Sequence, residues 1–286
     1  MVLIQWLISL ARPLVDRFPG IASVYRSVRD QLDSKERPTE TPWGFKLAGH
    51  AAMAQGIFEP QETEIVRNIL KDVDVLVNVG ANIGYYCCHA LSMGKSVIAF
   101  EPIQRNLGYL YRNIRANGWS TIEVYPLALS SSVGILEIYG GNTGASLVKG
   151  WADIPGNYAT LVPSLTLDLL LGTRLRGQKV LVIVDVEGAE HSMLNGATKM
   201  LSNDPRPIWM VEISAREHQP SGRETNPHFK DTFDLFFKNG YQPFLLEKDL
   251  RRLTAEEVDL ASVGRLTLPT HNFLFLDGKK SGVASM

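Results

Sequence analysis

Downstream of residue 73 the apolar positions keep two rhythms in turn. Short runs rich in Val, Ile and Leu, at 74–79, 96–100, 121–125, 179–185, 207–214, 241–246 and 272–276, read as strands. The most apolar is Lys-Val-Leu-Val-Ile-Val-Asp at 179–185. Between them the segments 83–93, 104–116, 167–171, 189–201 and 229–239 read as helices, with Asn117-Gly118 and Gly240 as C-terminal stops. Strand and helix in alternation imply right-handed crossovers and a mostly parallel sheet with helices on both faces.

The rhythm breaks in two places. Over 130–163 the pattern turns to weak alternation at 135–139, then to the glycine-rich stretch 140–144. This predicts an insertion near the working face of the sheet, with Trp151 and Tyr158 as aromatic surfaces suited to an acceptor or to packing. Before residue 59 the chain reads as helical over 1–33, broken at Pro19-Gly20, then as a polar linker over 34–42. A helix then opens at 59–60, where Pro60 fits the first turn and Glu59, Glu62 and Glu64 suit the positive end of the dipole. The expected division is an N-terminal extension and linker at 1–58 and one main domain at 59–286, carrying the insertion at 130–163.

The apolar run 2–10 contains Gln5, has no basic residue ahead of it and is ended by Arg12, so it does not read as a signal peptide and is too short to span a bilayer. It is expected to pack on the body or a partner subunit, or to lie on a membrane surface. A cytoplasmic protein, with membrane association through this helix, is the expectation. With 286 residues and 45% hydrophobic content the chain can bury a full core. A formal net charge of −1, with basic residues dispersed, argues against a nucleic-acid partner. The only cysteines, Cys87 and Cys88, are adjacent; they form no disulfide framework and read as small apolar residues in a reducing compartment. No His/Cys spacing suits zinc, and no metal is expected.

In an open sheet of this kind ligands sit beyond the carboxyl ends of the strands. The polar residues there fall into four groups. Gly80-Ala81-Asn82-Ile83-Gly84 turns the first strand into a helix and lets a ligand approach the backbone, or is an ordinary tight turn. Its spacing fails the dinucleotide fingerprint, which would need glycine at Asn82 and Tyr85 and argues against a nicotinamide oxidoreductase. Glu101 ends the next strand, where a carboxylate can hold both ribose hydroxyls or serve the helix beginning beside Pro102. Asp185-Val186-Glu187-Gly188-Ala189-Glu190-His191 follows the most apolar strand; Asp185 would face the crevice, Glu187 and Glu190 are candidates for helix-start charges, and His191 is a candidate base. Glu212 ends another strand ahead of His218, and His271 opens the last one.

Taken in order, Val77 to Tyr86, Ala99-Phe100-Glu101-Pro102, Asn113-Ile114 with Asn117-Gly118, Leu127 to Ser130, Thr166-Leu167-Asp168 and Asp185 to Glu190 resemble the FkbM family of S-adenosylmethionine-dependent methyltransferases over roughly 59–276. The resemblance implies a class I, Rossmann-like α/β fold: seven strands, mostly parallel, the last antiparallel. It implies methyl transfer from S-adenosylmethionine to a hydroxyl of a sugar, glycan or natural product. Carried over, Gly80, Asn82 and Gly84 line the methionine end, Glu101 holds the ribose, Ile103 borders the adenine, Ala128 and Leu129 close that pocket, and Asp185 lies near the sulfonium and the acceptor. Asn78 stands where the family usually has Asp, which removes a charge beside the cofactor; a non-catalytic relative that keeps the fold is the reading this departure leaves open. A base must take the acceptor's proton, and Asp185 or Glu212, with His191 or His218 nearby, are the candidates.

Overall fold

The computed structural model describes residues 36–141, 144–247 and 250–279. The expected helix at 1–33 lies outside them. In chain order the elements are β1 (Thr39–Glu40), β2 (Lys46–Leu47), α1 (Ala51–Gln55), α2 (Pro60–Asp72), β3 (Val75–Val79), α3 (Tyr85–Ser92), β4 (Ser96–Phe100), α4 (Gln104–Ala116), β5 (Ile122–Tyr125), β6 (Ala128–Leu129), β7 (Gly134–Tyr139), a single 3-10 turn (Trp151–Asp153), β8 (Ala159–Leu165), α5 (Leu167–Leu170), β9 (Val180–Val184), α6 (Glu190–Asn195), α7 (Thr198–Leu201), β10 (Ile208–Glu212), α8 (Phe229–Lys238), β11 (Tyr241–Leu245), β12 (Arg251–Arg252), α9 (Ala255–Ser262) and β13 (Asn272–Asp277).

The central sheet runs β12-β11-β13-β10-β9-β3-β4-β5. Neighbours from β10 to β5 pair parallel, and β13 pairs antiparallel with both β10 and β11. This is the expected mostly parallel sheet with an antiparallel last strand. The strand beyond the expected seven is the two-residue β12, which adds to the edge at β11.

Both faces of the sheet are covered, which is why its strands are apolar throughout. Side chains alternate between the faces. Val75, Val77 and Val79 of β3, Val180, Val182 and Val184 of β9, and Phe273 and Phe275 of β13 pack with Met193, Leu194, Phe229, Phe233 and Phe236 from α6 and α8. Leu76, Leu181, Ile183, Met210 and Leu274 face the other way, onto Val66, Ile69 and Leu70 of α2 and onto α3 and α4.

The helix expected over 189–201 is two short helices. Gly196 lies between them, and a Cβ there would come 2.2 Å from the Ser130 carbonyl oxygen. The close approach of that loop, not helix propensity, sets the break.

Two attachments shape the site. The insertion forms a small sheet, β6-β8-β7, with Ile138 and Val162 packed against Ile103 and Ala128. At the other end, the Asn113 and Asn117 side chains of α4 and its C-cap hydrogen-bond the backbone of Lys46 and Ala48. Phe45 and Leu47 pack there with Tyr85, Cys88 and Tyr109. This anchoring brings the segment 50–59 up to the carboxyl end of β3.

Candidate active site

Strands β3, β4, β9 and β10 end on one side of the sheet, and two joined cavities lie over those ends. The first, with an empty volume of about 550 Å³, is lined by Glu101, Ile103, Asn106, Ala128, Leu129 and Ile138 among others. The second, about 860 Å³, is lined by His50, Phe58, Glu59, Asn78, Tyr86, Glu212 and His271 among others. Gly80, Asn82, Asp185 and Glu187 line both.

The turn after β3 is tied down by β4 and β9. Gly80 and Ala81 donate to the Phe100 carbonyl at 3.0 and 2.9 Å. Gly80 has φ +78°, and a Cβ on it would lie 1.8 Å from the carbonyl oxygen of Asp185. Glycine is therefore required here by the neighbouring strand as well as suited to a ligand. Glu101 stitches the same turn: one carboxylate oxygen accepts from Asn82 N–H at 2.8 Å, the other from Ile103 N–H at 2.8 Å and from Asn106 Nδ2 at 3.3 Å. Burial pushes the Glu101 carboxyl up to about 7, against the pull of those hydrogen bonds.

Glu187 is held from the insertion. Trp151 Nε1 donates to its Oε2 at 2.8 Å, and Ser146 Oγ donates to its carbonyl. Trp151 is buried and lies over Gly188, where a Cβ would come 2.5 Å from the ring. The insertion thus borders the first cavity through Ile138, Ala145 and Leu147 and fixes the loop after β9. Trp151 is spent on that packing and is not an open face.

The second cavity is crowded with acid. Glu59, Asp185, Glu187 and Glu212 line it, and among the described residues no Lys or Arg does. Burial first, then the neighbouring carboxylates, raise both Asp185 and Glu212 well above the usual carboxylate range. Asp185 Oδ1 is buried without a hydrogen-bond partner, as are Asn82 Oδ1 and Asn106 Oδ1 in the adjoining cavity. His271 Nε2 lies 3.7 Å from a Glu212 oxygen.

Asn78, Gly80, Asn82, Glu101, Ile103, Ala128, Leu129, Asp185 and Glu212 thus all line one or both cavities. Gly84 lines neither; it starts α3 with φ +87°, and its Cβ would meet Leu110 Cδ1 at 2.3 Å. His191 and His218 also line neither cavity. His191 stacks on His228 at 4.7 Å, and His218 packs beside Trp151 at 5.9 Å. In the sequence Glu59 reads only as a helix-start charge, Tyr85 and Tyr86 only as the end of the stretch that resembles the family, and His50, Phe58 and Asn106 carry no signal. Tyr85 and Tyr86 open α3 directly after the glycine turn, while His50, Phe58, Glu59 and Asn106 meet the site at the starts of α1 and α2 and on α4.

Sheet order, glycine turn, strand-end acid and paired cavities together define a class I, Rossmann-like methyltransferase. The methyltransferase FkbM domain model matches residues 78–243, and the chain belongs to that family. S-adenosylmethionine is its methyl donor. The residues present fit that group. Its ribose and adenine amine offer donors to the unpaired oxygens of Asn82 and Asn106, and its sulfonium and ammonium charges suit a cavity walled by carboxylates, with no Lys or Arg in its lining among the described residues.

Among solved structures the likenesses are distant. A precorrin-6y C5,15-methyltransferase from Geobacter metallireducens GS-15 has 10% identity and a TM-score of 0.37, with 81% of this chain and 92% of that one covered. A tRNA (uracil-54, C5)-methyltransferase from Pyrococcus abyssi, in complex with S-adenosyl-L-homocysteine, has 11% identity and a TM-score of 0.36, with 62% and 35% covered. TYW2 from M. jannaschii, in complex with AdoMet, has 14% identity and a TM-score of 0.38, with 81% and 79% covered. No curated protein matches the chain. Among the described residues no helix is long and apolar enough to cross a membrane.

Proposed function

We propose that this methyltransferase acts on a hydroxyl oxygen of a sugar, glycan or hydroxylated natural product. One observation carries the reading: Asp185 and Glu212 line the same cavity, and both have carboxyls raised well above their ordinary range. A hydroxyl keeps its proton at neutral pH, so transfer to it needs a base poised near the working pH. An ordinary surface carboxylate is too weak a base, and burial among like charges strengthens it.

The bound cofactor supplies an electrophilic methyl group on a positively charged sulfur. Asp185, shared by both cavities, stands at the junction between nucleoside and acceptor and is the first choice for the proton. Glu212, with His271 beside it and its carboxyl pushed up to about 10, keeps its proton at neutral pH and donates a hydrogen bond that orients the acceptor from the far side. Phe58, Tyr85 and Tyr86 offer apolar faces to the carbon skeleton and keep water off the reacting atoms. Glu101 takes the ribose hydroxyls, and Ile103, Ala128 and Leu129 enclose the base. His191 and His218, away from both cavities, have no part in this scheme. Residues 1–58 serve as an extension to the 59–286 domain, and its segment 50–58 completes the acceptor wall.

The test is transfer of a labelled methyl group to panels of hydroxyl, amine and thiol acceptors of matched size. Labelled ether products are expected, and Asp185→Asn should lower turnover at least a hundredfold while S-adenosylhomocysteine binds within a few-fold of wild type. Methylation confined to amines or thiols, or full turnover in Asp185→Asn, would overturn the reading.

A further inference from the structure

The second cavity has a carboxylate on its near side, beside the glycine turn, that the scheme above does not use. Glu59 precedes Pro60, a position that pushes the backbone toward extended conformations. It instead adopts φ 39° and ψ 60°. It is the N-cap of α2, and its side chain makes no capping hydrogen bond. The carboxylate reaches across to α3, where the Tyr86 hydroxyl donates to Oε2 at 3.0 Å. That leaves Oε1 to take a second donor.

The surroundings say what kind of donor. Glu59 shares its cavity with Asn78, Gly80, Ala81 and Asn82, the residues of the strand end and turn. Asn78 is neutral, and its Nδ2 is engaged with Cys87 Sγ at 3.4 Å. The other three carboxylates lie toward β9 and β10. Glu187 is bonded to Trp151, Glu212 lies by His271, and Asp185 ends β9. Glu59 is thus the carboxylate that the start of α2 brings to this cavity, whose lining among the described residues holds no Lys or Arg. Burial raises its carboxyl, and among the described residues no Lys or Arg lines the cavity to offset it.

We infer that Glu59, braced by Tyr86, receives the α-ammonium group of the cofactor's methionine arm. The inference rests on S-adenosylmethionine as methyl donor and is independent of the acceptor. Two donors then meet the one carboxylate, a phenol at Oε2 and an ammonium at Oε1. The neutral Asn78 needs no charge, because Glu59 supplies it in the same cavity.

Calorimetric titration with two ligands tests this. S-adenosylhomocysteine carries the amino-acid arm; 5′-methylthioadenosine keeps adenosine and sulfur and lacks that arm. Glu59→Gln preserves shape and removes the charge. It should weaken S-adenosylhomocysteine about 10- to 100-fold, the range for one charge-assisted hydrogen bond, and leave methylthioadenosine within about twofold. Tyr86→Phe should weaken S-adenosylhomocysteine less, by roughly 2- to 10-fold, again without touching methylthioadenosine. Unchanged S-adenosylhomocysteine affinity in Glu59→Gln would overturn the inference. So would a parallel loss of both ligands, which would mean that Glu59 acts through the fold of the turn. No acceptor enters the experiment, so its failure leaves the O-methyl reading standing, and failure of the acceptor panels leaves this titration intact.

Discussion

Gly80→Ala is the sharpest test of how the turn is built. A Cβ at this residue would sit 1.8 Å from the Asp185 carbonyl oxygen, where ordinary contact needs about 3.4 Å. The neighbouring strand end must retreat by roughly 1.5 Å, or the turn must, and either move strains the hydrogen bond from Asp185 N–H to the Val79 carbonyl at 3.0 Å. Alanine at φ +78° adds a backbone cost of about 1–2 kcal/mol, and forced overpacking adds about 1–3 kcal/mol. Gly94 isolates the first of these contributions: its φ is +72°, and a Cβ there would meet nothing within 4 Å. Gly80→Ala should therefore unfold at lower denaturant than Gly94→Ala, by a margin of about 1–3 kcal/mol in equilibrium urea titrations with equal m-values. Its affinity for S-adenosylhomocysteine should also fall, because the displaced Asp185 lines both cavities, while Gly94→Ala binds normally. If the two variants unfold alike, the strand-to-turn contact does not explain the glycine, and ligand approach alone must.

The buried acids make stability depend on pH. Glu190 is almost fully buried, and that burial raises its carboxyl to about 7 even though the Gly188 N–H donates to it at 2.8 Å. A folded value above the unfolded one means that its contribution is complete below about 4.5 and is lost as pH rises through about 7, at a cost of roughly 3 kcal/mol. Glu190→Gln should therefore show a smaller fall in melting temperature between pH 5 and pH 8 than wild type; equal falls would remove Glu190 from the linkage. Cys87 and Cys88 are buried, burial pushes the Cys87 thiol up to about 12, and Cys88 is also raised. Neither should react with a disulfide reagent at pH 8 until the protein is denatured, and rapid labelling of the native protein would contradict their packing.

Much of the architecture is written locally. The runs at 96–100 and 104–116 coincide with β4 and α4, because continuous Val/Ile segments and amphipathic spacing each permit one way of burying the chain. Gly80, Asn82, Glu101, Asp185 and Glu212 could be picked out because a parallel sheet puts every strand's carboxyl end on one side, whatever the details of packing, whereas Asn78, Ile103, Ala128 and Leu129 follow only from the family resemblance. Histidines are harder to place this way. His191 and His218 follow strand-end acids in the sequence, yet a helix turn and a loop carry them out of the cavity. Proximity along the chain says little about direction once the strand has ended.

The order of apolar runs and strand-end acids by itself determined the class of fold and a glycine turn beside an acid able to hold a ribose, since strand order and strand ends are read locally; the kind of cofactor followed from the family resemblance. Only the tertiary structure decided what faces that turn. His50, Phe58 and Glu59 arrive at the starts of α1 and α2, next to Phe45 and Leu47 packed on Tyr85, Cys88 and Tyr109. Asn106 is aimed by Glu101, and Glu187 is clamped by a tryptophan from the insertion. The electrostatics are decided there too. A carboxylate's charge is a property of its burial and its neighbours, and four acids gather around one cavity only when separate segments of the chain have folded together.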